Sequence, residues 1–134
     1  MIDLLWIPLA ILLLGGVVWA AITSGRKKKR LPAAASARLR TQWKKASSAN
    51  DPHLLVLNCE KVLDQALREL GYRGTFAEKL KQAGPRIKNE QAVWSAHRLR
   101  NRIAHESDVH VTERQGKRAS QAFYGALKDI CTKF

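Results

Sequence analysis

The sequence predicts an all-α protein, with one N-terminal transmembrane helix followed by a small cytoplasmic helical bundle of about four to five helices. Two observations carry this prediction. An uncharged, mostly apolar run covers residues 4–22, and further along the chain apolar residues recur at spacings of three and four, the period of a helix face. The predicted boundaries are 1–25 for the transmembrane helix, 26–50 for a basic juxtamembrane linker with an amphipathic helix, and 51–134 for the bundle.

The transmembrane helix is predicted from the length and the flanks of the apolar run. Its nineteen residues, at 1.5 Å each, approach the ~30 Å thickness of the hydrocarbon core. Trp6 and Trp19 lie near its ends, where indole rings favour the headgroup level. Five cations follow at 26–30, whereas the charge before the run is Asp3. The positive-inside rule then predicts a single-pass protein of the cell membrane, with the N-terminus outside and the bundle in the cytoplasm.

The net charge of +13 is concentrated beside that run. Residues 26–45 hold nine basic residues and no acidic residue, whereas the chain from Asp51 onward holds fifteen basic and ten acidic residues. A basic block beside a bilayer is attracted to anionic lipid headgroups, so the lipid bilayer and these headgroups are expected partners. Membrane topology and RNA binding explain the positive charge equally well, so the charge balance alone does not decide whether the protein binds RNA.

Caps and apolar stripes predict the first helices of the bundle. An amphipathic helix is expected over 37–47. Asp51 and Pro52 suit the N-cap and first turn of the next helix, which ends before Gly71 in the C′ position. The core stripe of this helix is Leu55, Cys59, Val62, Ala66 and Leu70.

Three further helices are predicted, two from capping boxes and one from its apolar stripe. A capping box of Thr75 and Glu78 opens a short helix that ends near residue 84. A fourth helix runs from residue 89 to about residue 105. A second capping box, at 112–115, opens a last helix that ends near residue 132. The inward stripe expected for the fourth helix is Ala92, Ala96, Leu99 and Ile103.

Cysteine and histidine usage predicts neither a disulfide nor a metal site. Cys59 and Cys131 are far apart in the sequence and lack a CxxC spacing, so reduced, buried thiols are expected in a cytoplasmic domain. The four histidines have no cysteine pair near them. No zinc, no other metal and no cofactor is therefore expected.

The most informative stretch is Leu-Arg-Asn-Arg-Ile-Ala-His-Glu, residues 99–106, at the end of the fourth predicted helix. Arg100 is a permanent cation that can grip a phosphate through two parallel hydrogen bonds. His105 has the side chain whose unperturbed pKa, near ~6.5, suits proton transfer at neutral pH. Cleavage of RNA without a metal requires a group that binds the phosphate beside a group that transfers protons.

The arrangement of Arg100 and His105 resembles the Rx4-6H motif of the HEPN family, whose members are small helical bundles and in many cases ribonucleases. The resemblance covers roughly residues 51–134. It implies a homodimer in which two copies of the motif share one cleft. It also implies that the two copies of His105 act as general base and general acid, that Arg100 holds the scissile phosphate, and that Asn101 positions His105 or the RNA. The nucleophile would be the 2′-hydroxyl of the substrate.

The helical period places Arg100 and His105 about 140° apart on the fourth helix. One protomer therefore does not easily aim both at the same phosphate, and the resemblance implies that dimerisation resolves this. Arg98, Arg102 and His97 are expected around the motif as substrate-binding residues, although the two arginines are equally well explained as a solvated helix face.

Three functions remain open from the sequence. The first is a membrane-anchored RNA-binding protein that acts as a metal-independent endoribonuclease. The second is a non-catalytic, membrane-tethered interaction module, in which Arg100 pairs with Glu60 or Asp64, while Asn101 and His105 form a structural end to the helix. The third is a lipid-surface protein whose basic segment is the functional part.

Overall fold

The computed structural model describes residues 6–24, 30–131 and 133–134. Within these ranges the secondary structure is helical and contains no strand, which confirms the all-α prediction for this part of the chain. A 3-10 turn, Gly84–Arg86, separates the fourth and fifth helices. The helices are α1 (Trp6–Ser24), α2 (Ala33–Ser47), α3 (Pro52–Glu69), α4 (Phe76–Ala83), α5 (Glu90–His105) and α6 (Glu113–Ile130).

The predicted transmembrane helix is wrong, and so is the single-pass placement in a cell membrane that depended on it. Across the described residues, no helix has both the length and the apolar character needed to cross a bilayer. α1 has nineteen residues and ends in a polar threonine and serine.

α1 nevertheless exposes large apolar side chains: Ile11, Leu12 and Val17 are all more than half exposed. Two stretches used in the sequence analysis, 1–5 and 25–29, lie outside the described residues. The second of them contains four of the nine basic residues that were expected to flank the membrane and to bind anionic lipid headgroups.

α2 begins at Ala33, four residues before the predicted start, and packs into the bundle. Leu39 is completely buried, and Ala46 is buried in the same core. Trp43 stacks on Tyr124 of α6, with 5.4 Å between the ring centroids. α2 is therefore a packed helix of the bundle, although it lies within 26–50, the range predicted for the basic linker and its amphipathic helix.

α3 is the central helix and contacts α2, α4, α5 and α6. The Asp51 carboxylate caps its start by accepting a hydrogen bond from the His53 amide at 3.0 Å. Gly71, with a φ of 91°, follows its end in the left-handed conformation that favours glycine. The amide of Tyr72 donates to the carbonyl of Leu67 at 3.1 Å, which completes a Schellman motif. The predicted start and end of this helix are thus confirmed.

The start signals of the later helices are also confirmed. Thr75 and Thr112 each form a complete capping box, and the Asn89 side chain accepts from the Ala92 amide at 3.2 Å. α6 packs along α3 and α5, and its Phe123 and Leu127 are completely buried. The short helix α4 packs against α3, which creates a recess between α3, α4 and α5.

Candidate functional site

The inward face of α5 is turned about a quarter of a helical turn away from the predicted stripe. The buried residues are Val93, Ala96 and His97, whereas Leu99 and Ile103 are only partly buried. Arg100, which lies outside the predicted stripe, projects with the buried residues toward α3, where it contacts Glu60. This rotation brings the motif arginine into contact with a carboxylate of α3.

Four side chains form a network that we call the inward cluster: Glu60, His97, Arg100 and Asn101. Glu60 is buried and uses both carboxylate oxygens. Oε2 lies 2.9 Å from Nδ1 of His97, and Oε1 lies 3.2 Å from Nε of Arg100. Nδ2 of Asn101 lies 3.2 Å from Nε2 of His97, and Nη1 of Arg100 donates to Oδ1 of Asn101 at 3.3 Å.

These contacts select one hydrogen-bonding arrangement for His97. Because the Asn101 oxygen accepts from Arg100, its amide nitrogen faces His97 and donates to Nε2. The tautomer that satisfies every contact therefore carries its proton on Nδ1 and donates it to Glu60. Asn101 thus contacts His97 and Arg100, whereas the HEPN resemblance implied a contact with His105 or RNA.

The inward cluster borders a pocket of about 490 Å³ between α3, α4 and α5. The Phe76 ring closes one side of it and packs on the His97 ring, with centroids 4.7 Å apart. On another side Asp64 is paired twice, with Nζ of buried Lys79 and with Nη2 of Arg68, at 2.7 Å each. Of the two carboxylates that the sequence offered to Arg100, the structure therefore assigns Glu60. The buried lysine was not identified from the sequence.

His105 lies away from this pocket. It is exposed in the last turn of α5 and does not line the pocket. The structure of one protomer therefore does not bring Arg100 and His105 together, in agreement with their angular separation on an ideal helix.

Arg98 and Arg102 share the outer side of α5 with His105, and we call these three residues the outward basic strip. All three are exposed. Arg98 donates to the Ser95 hydroxyl at 3.0 Å, and Nε of Arg102 lies 3.7 Å from a carboxylate oxygen of Glu106. The predicted substrate-binding residues are thus divided, with His97 in the inward cluster and the arginines on the outside.

The loop that follows the motif is tied to the start of α3 by His53, a residue that the sequence analysis did not single out. Nε2 of His53 lies 2.7 Å from the Val109 carbonyl oxygen, and Nδ1 lies 3.1 Å from Oδ1 of Asp51. These two acceptors, first the carbonyl and then the carboxylate, raise the pKa of His53 above its ordinary value of 6.5. The signal available in the sequence was a histidine two positions after an aspartate N-cap.

In the ranges that the structure describes, no group of three His, Cys, Asp or Glu side chains is placed to hold a metal ion. Comparisons of the chain with protein-family models, with curated proteins and with solved structures give no match. The HEPN resemblance therefore rests on the sequence motif and its position at the end of a long helix.

Proposed function

We propose that this chain binds RNA and that, as a homodimer, it acts as a metal-independent endoribonuclease. The observation that carries the proposal is the way Arg100 is held. Glu60 fixes Nε and Asn101 fixes Nη1, which leaves Nη2 of a side chain that is 32% exposed. An arginine that is already oriented loses less conformational freedom when it binds a phosphate, and a guanidinium suits the planar geometry of phosphate oxygens.

Cleavage needs a second group at the same phosphate, and His105 is the residue that supplies it in this proposal. Because Arg100 and His105 diverge on one helix, the partner protomer contributes its own His105 to the cleft. One imidazole accepts the proton of the 2′-hydroxyl as its oxygen attacks the adjacent phosphorus. The other, in the imidazolium form, gives a proton to the departing 5′-oxygen. Arg100 stabilises the charge that develops on the phosphate. The products carry a 2′,3′-cyclic phosphate and a 5′-hydroxyl.

The second candidate function is a non-catalytic helical interaction module. The observation that favours it is the hydrogen bonding inside the inward cluster. Glu60, His97 and Asn101 already use their hydrogen-bonding atoms in contacts within the protein. In that case the motif stabilises the end of α5 and has no substrate.

The test uses the full chain, kept in mild detergent because α1 exposes apolar side chains. The protein is incubated with single-stranded RNA in the presence of EDTA, and the product ends are identified by mass spectrometry. We expect cyclic phosphate ends, and no cleavage when every 2′-hydroxyl of the RNA is methylated. His105→Ala and Arg100→Ala should each lower the cleavage rate at least about a hundredfold, the usual contribution of a proton-transfer group.

The matched control is His110→Ala, which removes an exposed histidine of the neighbouring loop and should cleave like the unmodified chain. Circular dichroism of each variant shows whether its helices are intact. If a verified dimer leaves RNA uncut, or if His105→Ala cleaves at the normal rate, the nuclease proposal fails and the interaction module replaces it.

A further inference from the structure

A second concave surface, of about 460 Å³, lies between the start of α5 and the middle and end of α6. It shares no residue with the pocket around Arg100. We call it the α5–α6 groove. Its lining residues are Ile87, Lys88, Asn89, Ala92, Arg118, Gln121, Ala122, Gly125, Ala126, Lys128 and Asp129.

The rim of the groove is positively charged. It contains Lys88, Arg118 and Lys128, and among the described residues Asp129 is the one carboxylate that lines it. Oδ2 of that carboxylate accepts a hydrogen bond from the backbone amide of Lys88 at 2.9 Å. The ammonium of Lys128 lies 4.8 Å from the centroid of the Tyr124 ring. No ion pair to Lys88 or Arg118 occurs within the part of the chain that the structure describes, so both cations remain for a ligand.

The floor of the groove is made of small residues, Ala92, Ala122, Gly125 and Ala126. A Cβ atom added at Gly125 would meet nothing within 4 Å, so the space above this glycine is open. Small side chains let a ligand approach the backbone of α6 closely. Among the described lining residues, Ile87 is the one large apolar side chain, and it is buried. The groove therefore lacks the exposed large apolar or aromatic anchors that bind a protein partner, and this argues for a polar, charged ligand.

We propose that the α5–α6 groove binds the sugar-phosphate backbone of single-stranded RNA, as a contact site separate from the one around Arg100. The unpaired guanidinium of Arg118 suits a phosphate, and the net positive rim suits a chain of repeated negative charges. The identity of the ligand as RNA rests on the proposed function, but binding in the groove does not require cleavage. Ala92 and Arg100 are eight positions apart on α5, a rise of about 12 Å along the helix axis, so the groove is a second contact and not an extension of the first pocket.

The test measures RNA affinity in a background that does not depend on cleavage. The full chain carrying His105→Ala is titrated against a fluorescently labelled single-stranded RNA, and anisotropy gives Kd over a series of salt concentrations. Arg118→Glu should raise Kd several-fold and lower the slope of log K against log salt by about one, the loss of one phosphate contact. Gly125→Met fills the groove without changing the charge and should also raise Kd several-fold.

Matched controls are Lys44→Glu and Ala37→Met, two substitutions at exposed positions of α2 that lie outside the groove. If the two groove variants bind RNA as these controls do, the groove inference is wrong, whatever the cleavage assay shows. If they lose affinity while the unmodified chain leaves RNA uncut, the groove is supported and the nuclease proposal fails.

Two further outcomes would overturn the inference. In a competition titration, inorganic phosphate should displace the RNA only far above the Kd of the RNA. If phosphate displaces the RNA at a concentration equal to that Kd, the groove is a site for free phosphate. Sedimentation that shows Gly125→Met converting a dimer into a monomer would make the groove an interface between two copies of the chain. If neither the His105→Ala parent nor the unmodified chain binds RNA at any salt concentration, both the groove inference and the proposed function are wrong.

Discussion

At the scale of single residues, Glu60 has the largest predicted effect on stability. A carboxylate that is only 5% exposed is costly to bury unless it is paired, and Glu60 is paired on both oxygens with His97 and Arg100. Its removal leaves donors of both partners without an acceptor. Because Arg100 is partly exposed to water, its contribution is reduced by solvent screening, and His97 accounts for more of the loss.

We expect Glu60→Ala to lower the free energy of unfolding by about 2–3 kcal/mol, the range for stranding buried polar groups. Glu60→Gln should cost less, since its amide oxygen still accepts one hydrogen bond. Urea denaturation followed by circular dichroism measures both changes. The control is Glu106→Ala, which removes an exposed partner of Arg102 and should stay within about 0.5 kcal/mol of the unmodified chain. Equal effects of the two alanine variants would show that the inward cluster does not stabilise the fold.

The sequence indicated that Arg100 has a carboxylate partner on α3 as one of two interpretations, but it could not choose the partner. Glu60 and Asp64 are one turn apart on the same helix, so local spacing treats them alike. The choice depends on α4, which places Lys79 against Asp64 and leaves Glu60 for α5. That contact is set by tertiary packing, and a helical pattern contains no information about it.

At the scale of elements, the capped helices were predicted well because caps are local. The signals at Asp51, Thr75 and Thr112 all lie where their helices start. The inward face of α5 was not predicted correctly. The predicted face, with its alanine, leucine and isoleucine residues, is more apolar than the face that packs against the rest of the bundle, which includes His97. On that side the Glu60 carboxylate of α3 pairs with a buried histidine and a partly buried arginine, and hydrophobic periodicity does not detect such a polar contact.

Two glycines of α6 should respond in opposite directions to the same substitution. At Gly116, an added Cβ would lie 3.1 Å from Cβ and 3.2 Å from Cα of Pro52, a rigid residue at the start of α3 that cannot easily move away. Overpacking of this kind costs about 1–3 kcal/mol. At Gly125 the added methyl meets nothing, and alanine is favoured over glycine inside a helix by about 0.5–1 kcal/mol.

We therefore expect Gly116→Ala to lower the free energy of unfolding by about 1 kcal/mol, the overpacking cost partly offset by the helix gain. Gly125→Ala should raise it by about 0.5–1 kcal/mol. The two variants serve as each other's control, because the helix and the substitution are the same. An equal gain in both would mean that the contact between α3 and α6 yields to an extra methyl group.

At the scale of the whole molecule, residues of α2, α3, α4, α5 and α6 belong to one contiguous hydrophobic core. A single core of this size favours cooperative unfolding. The two buried thiols report on it from different places, since Cys59 lies in the middle of α3 and Cys131 directly follows α6. Burial raises the pKa of Cys131 to about 11, and burial also raises the pKa of Cys59.

This arrangement predicts how the two thiols react with an alkylating reagent under native conditions. Cys59 should react only when the bundle opens globally, and Cys131 should react faster through fraying at the end of α6. The variants Cys131→Ala and Cys59→Ala isolate each thiol, and the dependence of each labelling rate on urea gives the surface exposed in the opening. Stability should also fall as the pH rises from about 9 toward 11, because the unfolded thiol ionises while the folded thiol stays protonated. Alkylation of Cys59 that is fast and independent of urea would show that α3 is accessible without global unfolding, and the single-core description would then be wrong.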